Sequence, residues 1–145
     1  MTHYVVRVGR IIEAPIEVVW DMIADARGFS SWGFMSHSSL EREGTPTPDG
    51  VGAVRNLGTG SFISREEVVV FDPPSHLGYV LLAGLPISNY RADVRLEPLG
   101  DRRCRIAWVG TFESKGITGA IMQRFLTMVL GDFVRRLAKV APTRT

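Results

Sequence analysis

The chain has 145 residues, 45% hydrophobic and 22% charged, ordinary globular usage that excludes a disordered chain or a fibrous repeat. This length fits one domain, residues 1–145, with a core of its own. A formal net charge of +2, spread evenly along the chain, argues against nucleic acid as a partner.

One cysteine, Cys104, can form no internal disulfide, which points to a reducing compartment, the cytosol (a cytoplasmic protein). The opening MTHYVVRVGR lacks the apolar stretch of a signal peptide. No apolar run approaches the roughly 18 residues of a membrane span, so no integral membrane association is expected.

Tyr4–Glu13 is rich in Val and Ile and predicts a strand. Ala14-Pro15 ends it, with proline placed where a helix start tolerates its missing N–H. Ile16, Val19, Trp20 and Ile23 recur at helical spacing and predict a short amphipathic helix over 15–25. Arg27-Gly28-Phe29-Ser30-Ser31 breaks it, and a second short helix or turn carries Trp32. Ser36–Arg42 is a weakly patterned strand, followed by turn chemistry in Thr45-Pro46-Thr47-Pro48-Asp49-Gly50. Gly52–Leu57 and Phe62–Phe71 flank Gly58-Thr59-Gly60-Ser61 and predict a hairpin. With its turn centred near Thr59-Gly60, position 55 faces 64, and Glu66 is a diagonal neighbour of Arg55 on the same face.

Asp72-Pro73-Pro74-Ser75 turns the chain into the strand Leu77–Ala83, which Gly84-Leu85-Pro86 breaks. Ser88–Glu97 alternates Tyr90, Ala92, Val94 and Leu96 with charged residues, the pattern of a half-buried antiparallel strand. After Leu99-Gly100-Asp101, a second such strand carries Cys104, Ile106, Trp108, Gly110 and Phe112 on one face. Finally Met122, Phe125, Leu126, Val129, Phe133, Leu137 and Val140 form one stripe and predict a helix over 118–140, about 35 Å long.

Seven antiparallel strands with helices gathered on one side make an α+β domain. The architecture expected is a curved antiparallel sheet wrapped around the long C-terminal helix, with two short helices after the first strand. A straight rod in the hollow of a curved sheet leaves a gap at one end, and that gap is the expected pocket.

Arg10-Ile11-Ile12-Glu13-Ala14-Pro15, running on to Val19-Trp20, resembles the strand-to-helix signature of the polyketide cyclase/dehydrase and lipid-transport family. That family lies within the START-like (SRPBCC, helix-grip) superfamily. Further matches follow in order: Trp32, Gly50–Arg55, Arg65–Val68, Leu77-Gly78-Tyr79, Tyr90 through Pro98, and Trp108 with Phe112. The resemblance implies a seven-stranded sheet gripping the last helix around a pocket for an apolar or aromatic molecule. It brings no universal catalytic set, and the superfamily hosts carriers, enzymes and interaction modules alike.

Candidate pocket residues are the large side chains on elements that enclose the gap: Trp32, Phe34, Tyr79, Tyr90, Trp108, Phe112, Met122, Phe125 and Val129. Plain core packing is the competing role for each. Arg55 and Glu66 are candidates for an inward ion pair that orients a ligand carboxylate, phenol or ketone, against a structural pair. Arg10 shares the phase of Val6, Val8 and Ile12 and is a candidate anchor for an acidic ligand, against an edge position reaching water. The Arg102, Arg103, Arg105, Arg135, Arg136 and Lys139 group reads as a solvated face. His3, His37 and His76 are scattered without ligand spacing, so neither a metal nor another cofactor is expected.

Three functions remain open at this point. The first is binding of a hydrophobic small molecule (lipid, polyketide or aromatic metabolite) by a monomer or weak homodimer. The second is an aromatase/cyclase or dehydratase in which Glu66, Arg55, Tyr79 and Tyr90 are the weak catalytic candidates. The third is a protein-interaction or stress-regulatory module.

Overall fold

The structure, a computed structural model, describes residues Met1–Thr145. In chain order it contains β1 (Thr2–Ile12), α1 (Ile16–Ala24), a 3₁₀ turn at Phe29–Ser31, β2 (His37–Arg42), β3 (Val54–Thr59) and β4 (Phe62–Asp72). β5 (His76–Ala83), β6 (Ser88–Pro98), β7 (Cys104–Ser114) and α2 (Gly116–Val140) follow, and a 3₁₀ turn at Ala141–Arg144 closes the chain. The strands form one seven-stranded sheet in the order β1-β7-β6-β5-β4-β3-β2, antiparallel throughout. This is the anticipated α+β arrangement, a curved sheet gripping a long helix, with short helical segments after the first strand.

Alternation explains the central strands. β7 buries Cys104, Ile106, Trp108, Gly110, Phe112 and Ser114 and turns the residues between them outward. β6 does the same with Tyr90, Ala92, Val94 and Leu96. A period of two places each set on the inner face of the sheet. α1 buries Ile16, Val19, Trp20 and Ile23 as its spacing requires, with Pro15 just before its first turn accepting hydrogen bonds from Val18 N and Val19 N.

The β3–β4 hairpin differs from the sequence expectation. Its turn is the dipeptide Gly60-Ser61, and the ladder runs to Thr59↔Phe62. Gly60, at φ 60°, takes the first central position, where a two-residue hairpin turn favours glycine. The register therefore places Arg55 directly opposite Glu66 rather than diagonal to it. The shift is two residues, an even number, so both side chains stay on the inner face.

α2 does not lie along the middle of the sheet. It packs over β1 and, less extensively, over β7. Gly119 allows this approach, since a Cβ there would collide with the Tyr4 ring, which itself stacks on Phe112 at 5.1 Å between centroids. The buried stripe Met122, Leu126, Leu130, Phe133, Val134 and Leu137 joins a cluster of 32 buried residues drawn from sheet and helices.

One expectation is corrected at this helix. An 18-residue window within Gly116–Arg144 has a mean hydropathy of 1.2, long and apolar enough to cross a membrane by length and composition, although 33% of it is buried in the fold. The expectation looked for an unbroken apolar run. α2 instead distributes apolar residues around a cylinder, so that Ile117, Ile121 and Met128 are exposed while the opposite face meets the sheet.

Candidate functional site

Because α2 rests on β1 and β7, it leaves much of the inner face of β3–β6 uncovered; α1 caps one end of that face through Trp20 and Ile23, and over the rest the sheet and α2 diverge. The gap is a cavity of about 550 Å³ lined by 22 residues, 15 of them hydrophobic. That size lies within the range of small-molecule sites, as does the apolar wall with few polar groups.

The polar groups gather on the inner face of β3 to β6. Arg55 on β3 and Glu66 on β4 are both buried, and Arg55 Nε donates to Glu66 Oε1 at 3.2 Å. Arg55 Nη1 donates to the Ile23 carbonyl of α1 at 3.1 Å. Ser64 Oγ donates to Glu66 Oε2 at 3.0 Å. The Arg55 guanidinium also lies 4.9 Å from the Tyr79 ring centroid and 5.5 Å from that of Phe29, so two aromatic faces hold the cation. Trp108 Nε1 donates to the Tyr79 hydroxyl at 3.1 Å, and the Tyr79 and Tyr90 rings sit 6.4 Å apart.

Burial dominates the proton affinities here. Loss of water pushes the Glu66 carboxyl above its ordinary range, and the adjacent Arg55 charge and the hydrogen bonds from Ser64 and Arg55 recover only part of that shift. Burial also raises both tyrosines, Tyr79 well above its usual value, so their hydroxyls stay protonated. The site thus combines one permanent cation, one carboxyl reluctant to ionise and neutral phenols within a mostly apolar wall.

Phe34, Arg55, Glu66 and Tyr79 line the cavity, as do Tyr90, Trp108, Phe125 and Val129. Four other candidates lie elsewhere. Arg10 is exposed, for β1 is an edge strand on the side that α2 covers and contributes nothing to the cavity. Phe112 is fully buried beneath Tyr4 in the same seam, and Met122 is buried on the stripe of α2. Trp32 is a buried plug: its Nε1 donates to the Met22 carbonyl at 3.0 Å and its ring leans on Phe29 and Phe133.

Several lining residues escaped the sequence reading. Leu126 and Phe133 lay on the recognised helical stripe, but periodicity does not tell which flank of a stripe borders open space. Phe29 and Met35 sit in the irregular segment after α1, where no period exists to follow. Phe62 is legible in hindsight as a large aromatic beside a hairpin turn, and it meets Phe125 edge-on at 6.1 Å. Leu85, from the Gly84–Ile87 break, also reaches the cavity.

Four of the six basic residues read as a solvated face are engaged locally. Arg103 pairs with Glu13 at 3.1 Å, Arg105 with Glu97 at 3.8 Å, and Arg135 and Arg136 with Asp132. Cys104 is buried, and desolvation pushes its thiol up to about 11, which keeps it a neutral space-filler.

Solved structures share this fold. A START superfamily protein from Mycobacterium smegmatis superposes with a TM-score of 0.82 at 12% identity, covering 99% of this chain and 100% of that one. Norcoclaurine synthase from Thalictrum flavum, bound to dopamine and hydroxybenzaldehyde, gives 0.77 at 16% identity over 99% of this chain and 89% of that one. A Thermobifida fusca protein gives 0.71 at 27% identity over 94% and 89%. No curated protein matches the chain. The fold is therefore START-like, a helix-grip, and since residues 3–142 match the family model for polyketide cyclase/dehydrase and lipid transport, the chain belongs to that family.

Proposed function

We propose that this chain is a single ligand-binding domain that holds a hydrophobic small molecule between the sheet and α2. The observation that carries the reading is the cavity of about 550 Å³ with 15 hydrophobic lining residues, left open by the position of the helix. An interior this apolar gains free energy by excluding water, at about 25 cal/mol per Å² of apolar ligand surface covered. A ligand with an apolar or aromatic body and one polar group matches the wall of phenyl and indole rings and the single polar corner. The proposal places the domain in the cytosol as a monomer or weak homodimer. The buried, lone Cys104 suits a reducing compartment.

Titration with the uncharged dye N-phenyl-1-naphthylamine tests it. Saturable binding of one dye per chain is expected. Val129→Trp, which fills the cavity from the α2 side, should weaken it by tenfold or more. No saturable binding of the dye, of fatty acids or of sterols would end this reading.

A second reading has one specific observation behind it, the buried Glu66 with its raised pKa beside the Tyr79 and Tyr90 hydroxyls. In a cyclase or dehydratase, Glu66 would take a proton from a carbon next to a ketone while Arg55 or a tyrosine hydroxyl polarises the carbonyl oxygen. Turnover of a poly-keto substrate unchanged in Glu66→Gln and Tyr90→Phe would remove these residues from any such mechanism.

A further inference from the structure

We propose that the polar corner of the cavity is an anion subsite: the domain takes an acidic amphiphile, a carboxylate, phenolate or enolate on an apolar ring-bearing body, and Glu66 takes up a proton as the anion arrives. This deepens the proposed function and rests on it.

The hydrogen-bond inventory carries the argument. A guanidinium has five N–H donors. Arg55 uses Nε on Glu66 and Nη1 on the Ile23 carbonyl, and Nη2 has no partner in the protein. No fully buried side-chain nitrogen or oxygen lacks a partner, so Nη2 must keep accessible surface. Arg55 is only 1% exposed and lines the cavity, so the space that Nη2 faces is the cavity. The Tyr90 hydroxyl, in a residue 5% exposed, neighbours the Tyr79 hydroxyl and lines the same cavity. Both oxygens of Glu66, by contrast, already accept hydrogen bonds, Oε1 from Arg55 and Oε2 from Ser64. The one group left open that can only donate is Arg55 Nη2, the Tyr90 hydroxyl can donate as well, and a guest that satisfies both brings an acceptor. A charge-assisted bond from a guanidinium favours an ionised acceptor.

Charge balance adds the proton. With Glu66 ionised, the corner is neutral and an incoming anion meets a like charge beside Arg55. With Glu66 protonated, the corner carries one net positive charge and the anion replaces the carboxylate as its counterion. The other groups facing this corner do not compete. Tyr79 on β5 and Tyr90 on β6 stay neutral. Asp132 on α2, clasped by Arg135 and Arg136, stays ionised. α1 presents only the Ile23 carbonyl. An anionic guest raises the Glu66 pKa further, so the complex binds more protons than the free protein. Affinity then falls as pH rises through the window between those two pKa values, by up to about tenfold per pH unit for one proton.

A matched pair of dyes reads this out. 1-Anilinonaphthalene-8-sulfonate is N-phenyl-1-naphthylamine with one sulfonate added, ionised at all relevant pH. Between pH 5 and 8.5 the Kd of the sulfonate dye should rise with pH while that of the neutral dye stays level. Glu66→Gln should flatten the sulfonate profile and tighten binding about tenfold at the alkaline end, with neutral-dye binding reporting whether the cavity survives the substitution. Calorimetry on the unmodified protein, in two buffers of different ionisation enthalpy, gives the same answer without a variant: up to one proton taken up with the sulfonate dye and none with the neutral one. If the neutral dye binds but the sulfonate dye shows neither proton uptake nor a pH slope, the anion subsite is wrong and the hydrophobic cavity stands. If neither dye binds, both readings fall together.

Discussion

The sheet delivers inward side chains on both of its sides, yet the sides do opposite work. On the β1–β7 side, α2 descends until Gly119 touches the Tyr4 ring, Tyr4 stacks on Phe112 and Leu137 is wholly enclosed. On the β3–β6 side, the inward residues Leu57, Glu66, Tyr79 and Tyr90 meet an open space of about 550 Å³. Strand alternation delivers inward side chains to both. What differs is whether α2 is there to receive them. The sealed seam concentrates packing energy and the open side concentrates ligand-accessible surface, so stability and binding should respond to different substitutions.

The largest expected effect is in the seam. Leu137→Ala removes a fully enclosed side chain and should destabilise by about 3 kcal/mol, lowering Tm by roughly 10 °C in thermal unfolding. A loss under about 1 kcal/mol would mean that the seam repacks freely and the contrast is false. Next comes Gly119→Ala. Alanine normally favours a helix by about 1 kcal/mol. Here its Cβ meets the Tyr4 ring, so overpacking should reverse the sign to a net loss of about 1 kcal/mol by denaturant titration. A gain would show that α2 stands off the sheet.

Glu66→Gln probes the open side. The folded-state pKa of Glu66 is raised, so its contribution to stability is complete below the unfolded value near 4.5 and is lost as pH rises through the folded value. Tm of the variant should therefore pull ahead of the parent as pH increases from that point, by on the order of a few degrees. A gap independent of pH would show that the carboxyl is not desolvated. The smallest effect is expected for Val129→Ala, which enlarges an existing cavity instead of creating one. Its stability cost should stay under about 1 kcal/mol in the same titration, while neutral-dye affinity changes measurably. A loss as large as that of Leu137→Ala would erase the distinction between the two sides.

Much of this was legible in the residues. The alternation of Tyr90–Leu96 and Cys104–Phe112 and the stripe from Met122 to Val140 follow from the periods of strand and helix, and they placed Tyr90 and Trp108 on the inner face. The hairpin register was off by two because Gly58-Thr59-Gly60-Ser61 offers more than one turn, and only the completed ladder selects Gly60-Ser61. For Arg10, of the two roles the sequence left open, the edge position reaching water is the one that holds. Phase identified its face correctly, but a face is inner only where something covers it, and at that end of an edge strand the side chain reaches water.

The amino-acid order by itself determined which side chains share a face, because that depends on backbone periods of 2 and 3.6 residues, which are local. It also determined that Arg55 and Glu66 lie on adjacent strands within reach of each other, because a short hairpin joins them. Where α2 settles was decided only by the tertiary structure. Tyr4 is separated from Phe112 and Gly119 by most of the chain, and the fit of the three draws the helix towards one edge of the sheet. The cavity is the space that this asymmetry leaves, a property of the distance between two surfaces, which no local pattern encodes.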